Sequence, residues 1–516
     1  MERVIRHLLP LPVALVAAVS TPSALAAKSV DGPSLAKSLL AGRGFAQSGV
    51  VVRGPVNLEA ADVVAGLFRC RSCTFRNRVS APDVTFARTL DLSGSTFERD
   101  VSFRGATFQA PALFGTAAID ETGRGGEQPT SFRRDMDFSL AFFEEFASFR
   151  RSAFIGTANF EDTRFSDVTF ARASFNAEAR FAQVSFRGAA LFFRTLFGNG
   201  ARSASPSSAD PGRWRATFED SDFRGRTDFS RAFFYGGATF TRAQLAEGAL
   251  FLDTSFSTGS TEEAAKFQSL ASAGDLNFTF ASFEHAQRSP AGLSASFVAV
   301  FSELVCARSL VLRDAEIGDN ERITMSRLQV GDLVMDVEDV RHVANPDDRR
   351  AVLQTIEESA KARGDLDIAN DAHYALRVLR EQSYSPLGRA LDYVFYRGIA
   401  GYFVRPIRPV LVLVLLVTVA AAIRAGRTRG SHTPPGNRPS PGRRVWAGVR
   451  LRAADFLVHV LNTFSLVGPR WSGGDRGELP LASRLEVLAY RLLLVCALLG
   501  LANSNPTLRE MVDTLF

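Results

Sequence analysis

Two cysteines in a Cys-x-x-Cys pattern, Cys70 and Cys73, are the residues of this sequence whose type and spacing most directly suggest chemistry. The spacing fits half of a zinc site or a redox pair, and in an exported chain the two thiols could also be oxidised. No second cysteine pair and no group of histidines lies nearby in sequence to complete four zinc ligands. We therefore predict no metal site, and interpret both cysteines as small core residues.

Signatures of catalysis are otherwise missing from the 516 residues. The sequence contains no Gly-x-Ser-x-Gly, no P-loop, no His-Glu-x-x-His and no Gly-x-Gly-x-x-Gly that opens a helix after a strand. His373, beside Tyr374, invites a catalytic interpretation, but a single histidine on a helix is more often packed or solvated. We predict a protein that is not an enzyme, with no catalytic residue, no cofactor site and no metal site.

The segment Ala158–Ala177 organises the rest of the chain. Phenylalanine occupies every fifth position in it, and a small or β-branched residue lies two positions before each phenylalanine: Phe160, Phe165, Phe170, Phe175. A step of five turns about 140° on a helix and alternates faces on a flat strand. One phenylalanine per five residues can therefore face a single interior only if the chain turns a corner each time, which indicates a solenoid.

The segment Ala158-Asn159-Phe160-Glu161-Asp162 resembles the consensus of the pentapeptide-repeat proteins. Steps that alternate between five and six residues resemble the Phe-rich branch of that family: Phe86, Leu92, Phe97, Phe103, Phe108, Phe114. The resemblance covers roughly residues 50 to 334 and implies a right-handed quadrilateral β-helix, with loops near 120–130, 198–211 and 259–274. The fold class expected is mainly β, followed by an α-helical hairpin and C-terminal transmembrane helices.

The register of this repeat predicts which side chains are buried. The four phenylalanines of the organising segment should lie in the core, and we expect Glu161, Asp162, Ser166 and Arg172 to be exposed. Counting from Phe75 places Cys73 and Cys70 at inward positions, and Cys306 has the same kind of position. Replacing both Cys70 and Cys73 should therefore leave the domain folded and free of zinc.

The charge balance of the solenoid argues against a nucleic-acid role. Residues 28–335 contain 34 Lys/Arg and 35 Asp/Glu, a net charge of −1. Some relatives in the family are acidic mimics of DNA, which need a strongly negative face, and this balance does not indicate one. Phe223-Arg224-Gly225-Arg226 suggests a basic aromatic patch, but the repeat buries the phenylalanine, so we interpret the arginines as solvated.

The segments before and after the predicted β-helix lack the phenylalanine repeat and predict other structures. Residues 1–27 have the basic start, apolar middle and Ala24-Leu25-Ala26 site of a signal peptide. Residues 28–49 predict a short capping helix through Leu35, Leu39 and Leu40, followed by the β-helix over 50–335. Residues 336–400 predict a helical hairpin and linker, with a first helix that starts at Asn345 and ends at Gly364.

Residues 401–516 predict a membrane module. Apolar spans are expected near 405–424 and 485–503, separated by a basic loop, 424–452, that the positive-inside rule assigns to the cytoplasm. A further apolar stretch at 456–468 dimly resembles a potassium-channel pore loop but lacks the Thr-x-Gly-Tyr-Gly filter.

The function predicted is a non-enzymatic, membrane-anchored scaffold. The signal peptide exports the solenoid, which offers its sides to unknown protein partners. We expect the protein to be integral to the cell membrane and to bind no nucleic acid. An oligomer could form through the membrane helices. The alternative is a channel-like or transport-related protein with a degenerate pore loop near 456–468.

Overall fold

The computed structural model describes residues 28–115, 128–198, 215–258, 263–285, 297–319 and 321–381, with Leu415. The predicted signal peptide, second membrane span, basic loop and pore loop lie outside these residues, as does the first span apart from Leu415. The chain divides into two compact units. Unit 1 runs to Arg226 and includes Phe234–Gly236; unit 2 comprises Thr227–Phe233 and the residues from Gly237 onward.

Unit 1 is a parallel β-solenoid, as the phenylalanine repeat predicts. From the second strand of the chain onward, each short strand pairs in parallel with the strand of the next turn, which comes four strands later in the sequence. Its strands therefore form four stacks, which we call faces 1 to 4 in the order in which the chain visits them. A turn is one passage of the chain around the four faces. The two units together contain about 11 such turns among the described residues.

The strands of unit 1 are mostly two residues long, because a corner follows each of them. Face 1 contains Ser29–Asp31, Val51–Arg53, Thr74–Phe75, Thr96–Phe97, Ser131–Phe132, Ala153–Phe154, Ser174–Phe175 and Leu196–Phe197. Face 2 contains Val56–Asn57, Val79–Ser80, Val101–Ser102, Met136–Asp137, Ala158–Asn159, Ala179–Arg180 and Ala216–Thr217. Face 3 contains Val63–Val64, Thr85–Phe86, Thr107–Phe108, Phe142–Phe143, Arg164–Phe165, Ser185–Phe186 and Asp222–Phe223. Face 4 contains Phe45–Ser48, Phe68–Arg71, Leu90–Asp91, Ala112–Leu113, Ala147–Ser148, Val168–Thr169 and Ala190–Leu191.

Unit 2 is built on the same plan of parallel stacks. One stack contains Ser255–Thr258, Ser282–His285 and Glu316–Ile317. The next contains Ala238–Thr239, Ala265–Lys266, Phe297–Val300 and Arg322–Thr324. The other two stacks contain Gln244–Leu245 with Ala271–Ser272, and Thr227–Asp228 with Gly248–Leu250 and Asp275–Asn277. The longer strands Val305–Val311 and Gln329–Val334 extend over both of these, and Phe233–Phe234 is divided between the units.

The core of unit 1 is a set of phenylalanine columns, as predicted. Phe160, Phe165, Phe170 and Phe175 are each 0% exposed. The ring of Phe160 stacks on that of Phe181 in the next turn, with centroids 4.9 Å apart and planes 6° from parallel. This distance matches the spacing of about 4.8 Å between paired strands, so each ring column repeats with the backbone ladder.

The outward positions are less exposed than the repeat predicts. Asp162 is exposed, but Glu161, Ser166 and Arg172 are half-buried, which corrects the expectation for these three. The physical reason is the stacking itself. Residues at equivalent positions of the adjacent turns lie about 5 Å above and below and cover part of each side chain.

Two corners of most turns use a left-handed backbone. In these turns the residue three positions before the central residue of face 1 or face 3 has a positive φ, for example 60° at Arg151, 61° at Arg172 and 56° at Asp162. This conformation tightens the corner in the five-residue steps. Glycine adopts it at little cost, as at Gly94, whereas it costs other L-residues roughly 1–2 kcal/mol.

Helices occur at the ends of the described β-structure. Helix α1, Gly32–Leu40, is capped by Asp31 and buries Leu35 and Leu39, while Leu40 is 40% exposed. In unit 2 a 3-10 helix, Val337–His342, precedes helices α2, Pro346–Arg363, and α3, Leu366–Glu381.

Helix α2 begins and ends where the sequence predicts. Asn345 accepts a hydrogen bond from the Asp347 N–H at 3.0 Å, and Gly364 ends the helix with φ 77°. Helix α2 buries Val352, Leu353 and Ile356, and it packs on α3. Of all helices in the described part of the chain, none is long and apolar enough to cross a membrane.

Candidate functional site

Cys70 and Cys73 form a disulfide. Both are buried, at 0% and 1% exposure, so the predicted inward positions are confirmed. The interpretation as two separate small core residues is corrected, because the corner between faces 4 and 1 brings the two inward side chains together. The Ser95 hydroxyl accepts from the Cys73 N–H at 3.0 Å and donates to the Cys70 carbonyl at 2.7 Å. The disulfide therefore closes this corner, and the Ser95 hydroxyl ties the corner to the next turn.

Cys306 is buried and reduced, as its inward position predicts. Burial raises the pKa of its thiol, because the apolar surroundings disfavour the thiolate. Throughout the described segments, no group of three or more potential ligands could hold a metal ion.

His373 packs against an acidic partner on the neighbouring helix. Its Nδ1 lies 3.2 Å from Glu357, which also accepts a hydrogen bond from Lys361 at 2.5 Å. Burial raises the pKa of Glu357, but the hydrogen bonds from Lys361 and His373 outweigh it and leave the pKa below its ordinary value. The arrangement joins α2 to α3.

A second histidine cluster lies in unit 2 and could not be found from the sequence. His285 Nδ1 is 2.7 Å from the Glu321 carboxylate, and His342 Nδ1 is 3.0 Å from the Glu321 carbonyl. Arg341 Nε donates to His342 Nε2 at 3.2 Å. When Nε2 accepts from Arg341, the other ring nitrogen, Nδ1, is the one that donates to the Glu321 carbonyl. Separations of 36 and 21 residues hide these contacts from sequence patterns.

The outward charges of unit 1 are sorted by face, which is the largest departure from the sequence analysis. From Val51 onward, face 1 taken with its two edges carries twelve arginines and four acids, a net charge of +8: Arg53, Arg71, Arg76, Arg78, Glu98, Arg99, Asp100, Arg133, Arg134, Asp135, Arg150, Arg151, Arg172, Glu178, Arg194, Arg215. Face 2, taken with the edge that follows it, carries eight acids and two arginines, a net charge of −6: Glu59, Asp62, Asp83, Arg104, Asp137, Glu161, Asp162, Arg180, Glu219, Asp220.

The expectation that no strongly negative face exists is therefore corrected for unit 1. A balance near zero over residues 28–335 conceals the sorting, because successive five- and six-residue steps of the chain contribute to different faces. The arginines of Phe223-Arg224-Gly225-Arg226 belong to face 3 and are exposed while Phe223 is 0% exposed, as predicted.

Among the described residues, most arginines of face 1 have no acidic partner. Arg71 forms an ion pair with Asp91 at 2.6 Å, and Asp91 is 0% exposed beneath it. Within the described residues, nine others make no ion pair: Arg53, Arg76, Arg78, Arg99, Arg133, Arg134, Arg151, Arg172, Arg194. The middle column between the two arginine rows consists of small or hydroxyl side chains in five successive turns: Thr74, Thr96, Ser131, Ala153, Ser174. Face 1 is thus a flat, positively charged surface.

Comparisons with known proteins leave the family open. No family model matches the sequence, and no curated protein or solved structure matches it either. The functional argument therefore rests on the molecule itself.

Proposed function

We propose that the chain is an exported, membrane-anchored member of the Phe-rich pentapeptide-repeat family that acts as a non-enzymatic scaffold. The solenoid would be a right-handed quadrilateral β-helix, and its flat charged sides would bind protein partners. The observation that carries the proposal is that inward and outward positions of unit 1 have different side chains. The phenylalanine columns are used entirely in the core, while the outward positions form charged rows at a constant spacing.

Two observations support export and anchoring. Disulfides persist in oxidising compartments outside the cytoplasm, and unit 1 contains the Cys70–Cys73 disulfide. The sequence supplies a signal peptide over 1–27 and apolar stretches near 405–424 and 485–503, with the arginine-rich segment 424–452 between them. The solenoid would then lie outside the cytoplasm. No observation favours the channel-like alternative near 456–468.

Cysteine accessibility tests this topology. In a parent chain without Cys306 and Cys496, we expect a cysteine at the exposed Ser48 to react with a membrane-impermeant thiol reagent in cells whose outer layers admit it. A cysteine at Ser440 should react only after the membrane is permeabilised. Reaction at Ser440 together with protection at Ser48 would invert the topology and remove the signal-peptide interpretation.

Proximity labelling tests the scaffold role. A labelling enzyme joined next to Lys28 of the full chain should biotinylate a reproducible set of envelope proteins. The control is the same enzyme exported and anchored without the solenoid. An identical set of labelled proteins in both samples would argue against a scaffold that selects partners.

A further inference from the structure

We propose that unit 1 associates side by side with unit 1 of a second copy of this chain, face 1 of one copy against face 2 of the other. The two copies would lie parallel and in register, so that equivalent turns are at the same level. This inference depends on the structure of unit 1 and does not require export or membrane anchoring.

The first argument is that the charges of the two faces oppose each other in six of the seven turns; in the seventh, Arg172 and Glu178 balance on face 1 and face 2 carries Arg180, which pairs with Glu178. Arg53 on face 1 corresponds to Glu59 and Asp62 on face 2. Three turns further on, Arg133 and Arg134 outweigh Asp135, and face 2 carries Asp137. The next turn sets Arg150 and Arg151 against Glu161 and Asp162, and the last sets Arg194 and Arg215 against Glu219 and Asp220.

The second argument is the turn in which the signs reverse. Glu98 and Asp100 outweigh Arg99 and make this turn of face 1 negative. Face 2 of the same turn is positive through Arg104, which lies among the acids. A uniform polyanion laid along face 1 would be repelled at Glu98 and Asp100. A second copy in register supplies Arg104 at that level, so the reversal favours a copy of this chain as the occupant.

The third argument is that face 1 is kept basic despite its cost to the isolated unit. Like charges repeat at a spacing of about 5 Å along the stack and repel one another. Acids from a second copy would relieve the repulsion.

The shapes of the two faces also permit close approach. The middle of face 1 is a column of small or hydroxyl side chains over five turns, bounded by Val51 and Leu196. That of face 2 includes Ser80, Ser102 and Asn159 beside the longer Asp137 and Arg180. Both faces have the same rise per turn because they belong to one solenoid, so opposite charges stay in phase along its length. A contact between two different patches is heterologous, and it closes into a ring or continues as an array according to the rotation between copies.

Complementary charge reversals test the proposal on the full chain in a non-ionic detergent. Variant A carries Arg133→Glu and Arg134→Glu on face 1, which are exposed and make no ion pair among the described residues. Variant B carries Glu161→Arg and Asp162→Arg on face 2. Sedimentation velocity at 50 mM and 500 mM NaCl measures association. We expect the natural chain to associate at least tenfold more tightly at low salt.

Each variant alone should lose at least tenfold in this association, because its altered patch repels the unchanged patch of the other copy. An equimolar mixture of A and B should recover one such contact, because the unchanged face 2 of A can meet the unchanged face 1 of B. The matched control is Arg88→Glu with Arg164→Glu on face 3, which changes net charge as much as variant A and should associate normally. Circular dichroism establishes that all variants are folded.

Three results would overturn the proposal: no salt-dependent association of the natural chain, no recovery in the mixture of A and B, or the same loss in the face 3 control. If face 1 instead binds an anionic polymer, heparin added as a probe would bind to the natural chain and to variant B but not to variant A, with no recovery in the mixture.

Discussion

Truncation of one phenylalanine in the middle of the stack is the most direct test of the phenylalanine core. We predict that Phe160→Ala destabilises unit 1 by about 4–5 kcal/mol, near the upper end of the range for phenylalanine-to-alanine changes in cores. The side chain is 0% exposed, and its ring contacts six others within 6.2 Å: Phe138, Phe149, Phe154, Phe165, Phe170, Phe181.

The magnitude follows from these neighbours. Two of the six rings, Phe138 and Phe181, stack on it nearly parallel from the adjacent turns, and backbone ladders hold those turns at a fixed spacing. The cavity left by alanine therefore cannot collapse. Phe45 supplies a matched control, because it is 9% exposed and contacts the single ring of Phe68, at 6.3 Å, among the described aromatic residues. We expect Phe45→Ala to cost about 2–3 kcal/mol, since the cost depends on how well a site can relax.

Equilibrium unfolding in guanidinium chloride, followed by far-ultraviolet circular dichroism, measures both changes. A solenoid need not unfold in one step, so the comparison uses the transition that Phe160→Ala displaces. Phe160→Leu keeps most of the volume and should fall between the natural chain and Phe160→Ala. Equal costs for Phe45→Ala and Phe160→Ala would refute the argument that ring stacking between fixed turns sets the magnitude.

Two further predictions concern the disulfide and the helical hairpin. Replacing both Cys70 and Cys73 by alanine should leave unit 1 folded and zinc-free, with a loss of at most about 2 kcal/mol for so short a loop; metal analysis and thermal unfolding measure this, and one zinc per natural chain would contradict it. The pKa of Glu357 is lowered in the folded state, so its contribution to stability is present above the pKa of the unfolded chain and is lost as the pH falls through the lower, folded value. Glu357→Gln should therefore reduce the loss of hairpin stability as the pH falls. Glu358→Gln changes the exposed neighbour and should leave this pH dependence as it is in the natural chain. Equal effects of the two changes would show that the contacts of Glu357 with Lys361 and His373 contribute no stability.

The sequence by itself determined the features of this protein that depend on residues close together in the chain. A phenylalanine every five or six residues with a small residue two positions earlier can be buried on one side only by a chain that turns at each step, so the parallel solenoid and the burial of Phe160 followed. The ends of helix α2 followed from Asn345, Pro346 and Gly364, because capping depends on residues adjacent in sequence. The tertiary structure decided what depends on residues one turn or more apart. Stacking brought Glu321 to His285, left Glu161 and Arg172 half-covered, and sorted the charges into a basic face 1 and an acidic face 2, because the side on which a residue lies depends on the sum of all five- and six-residue steps before it.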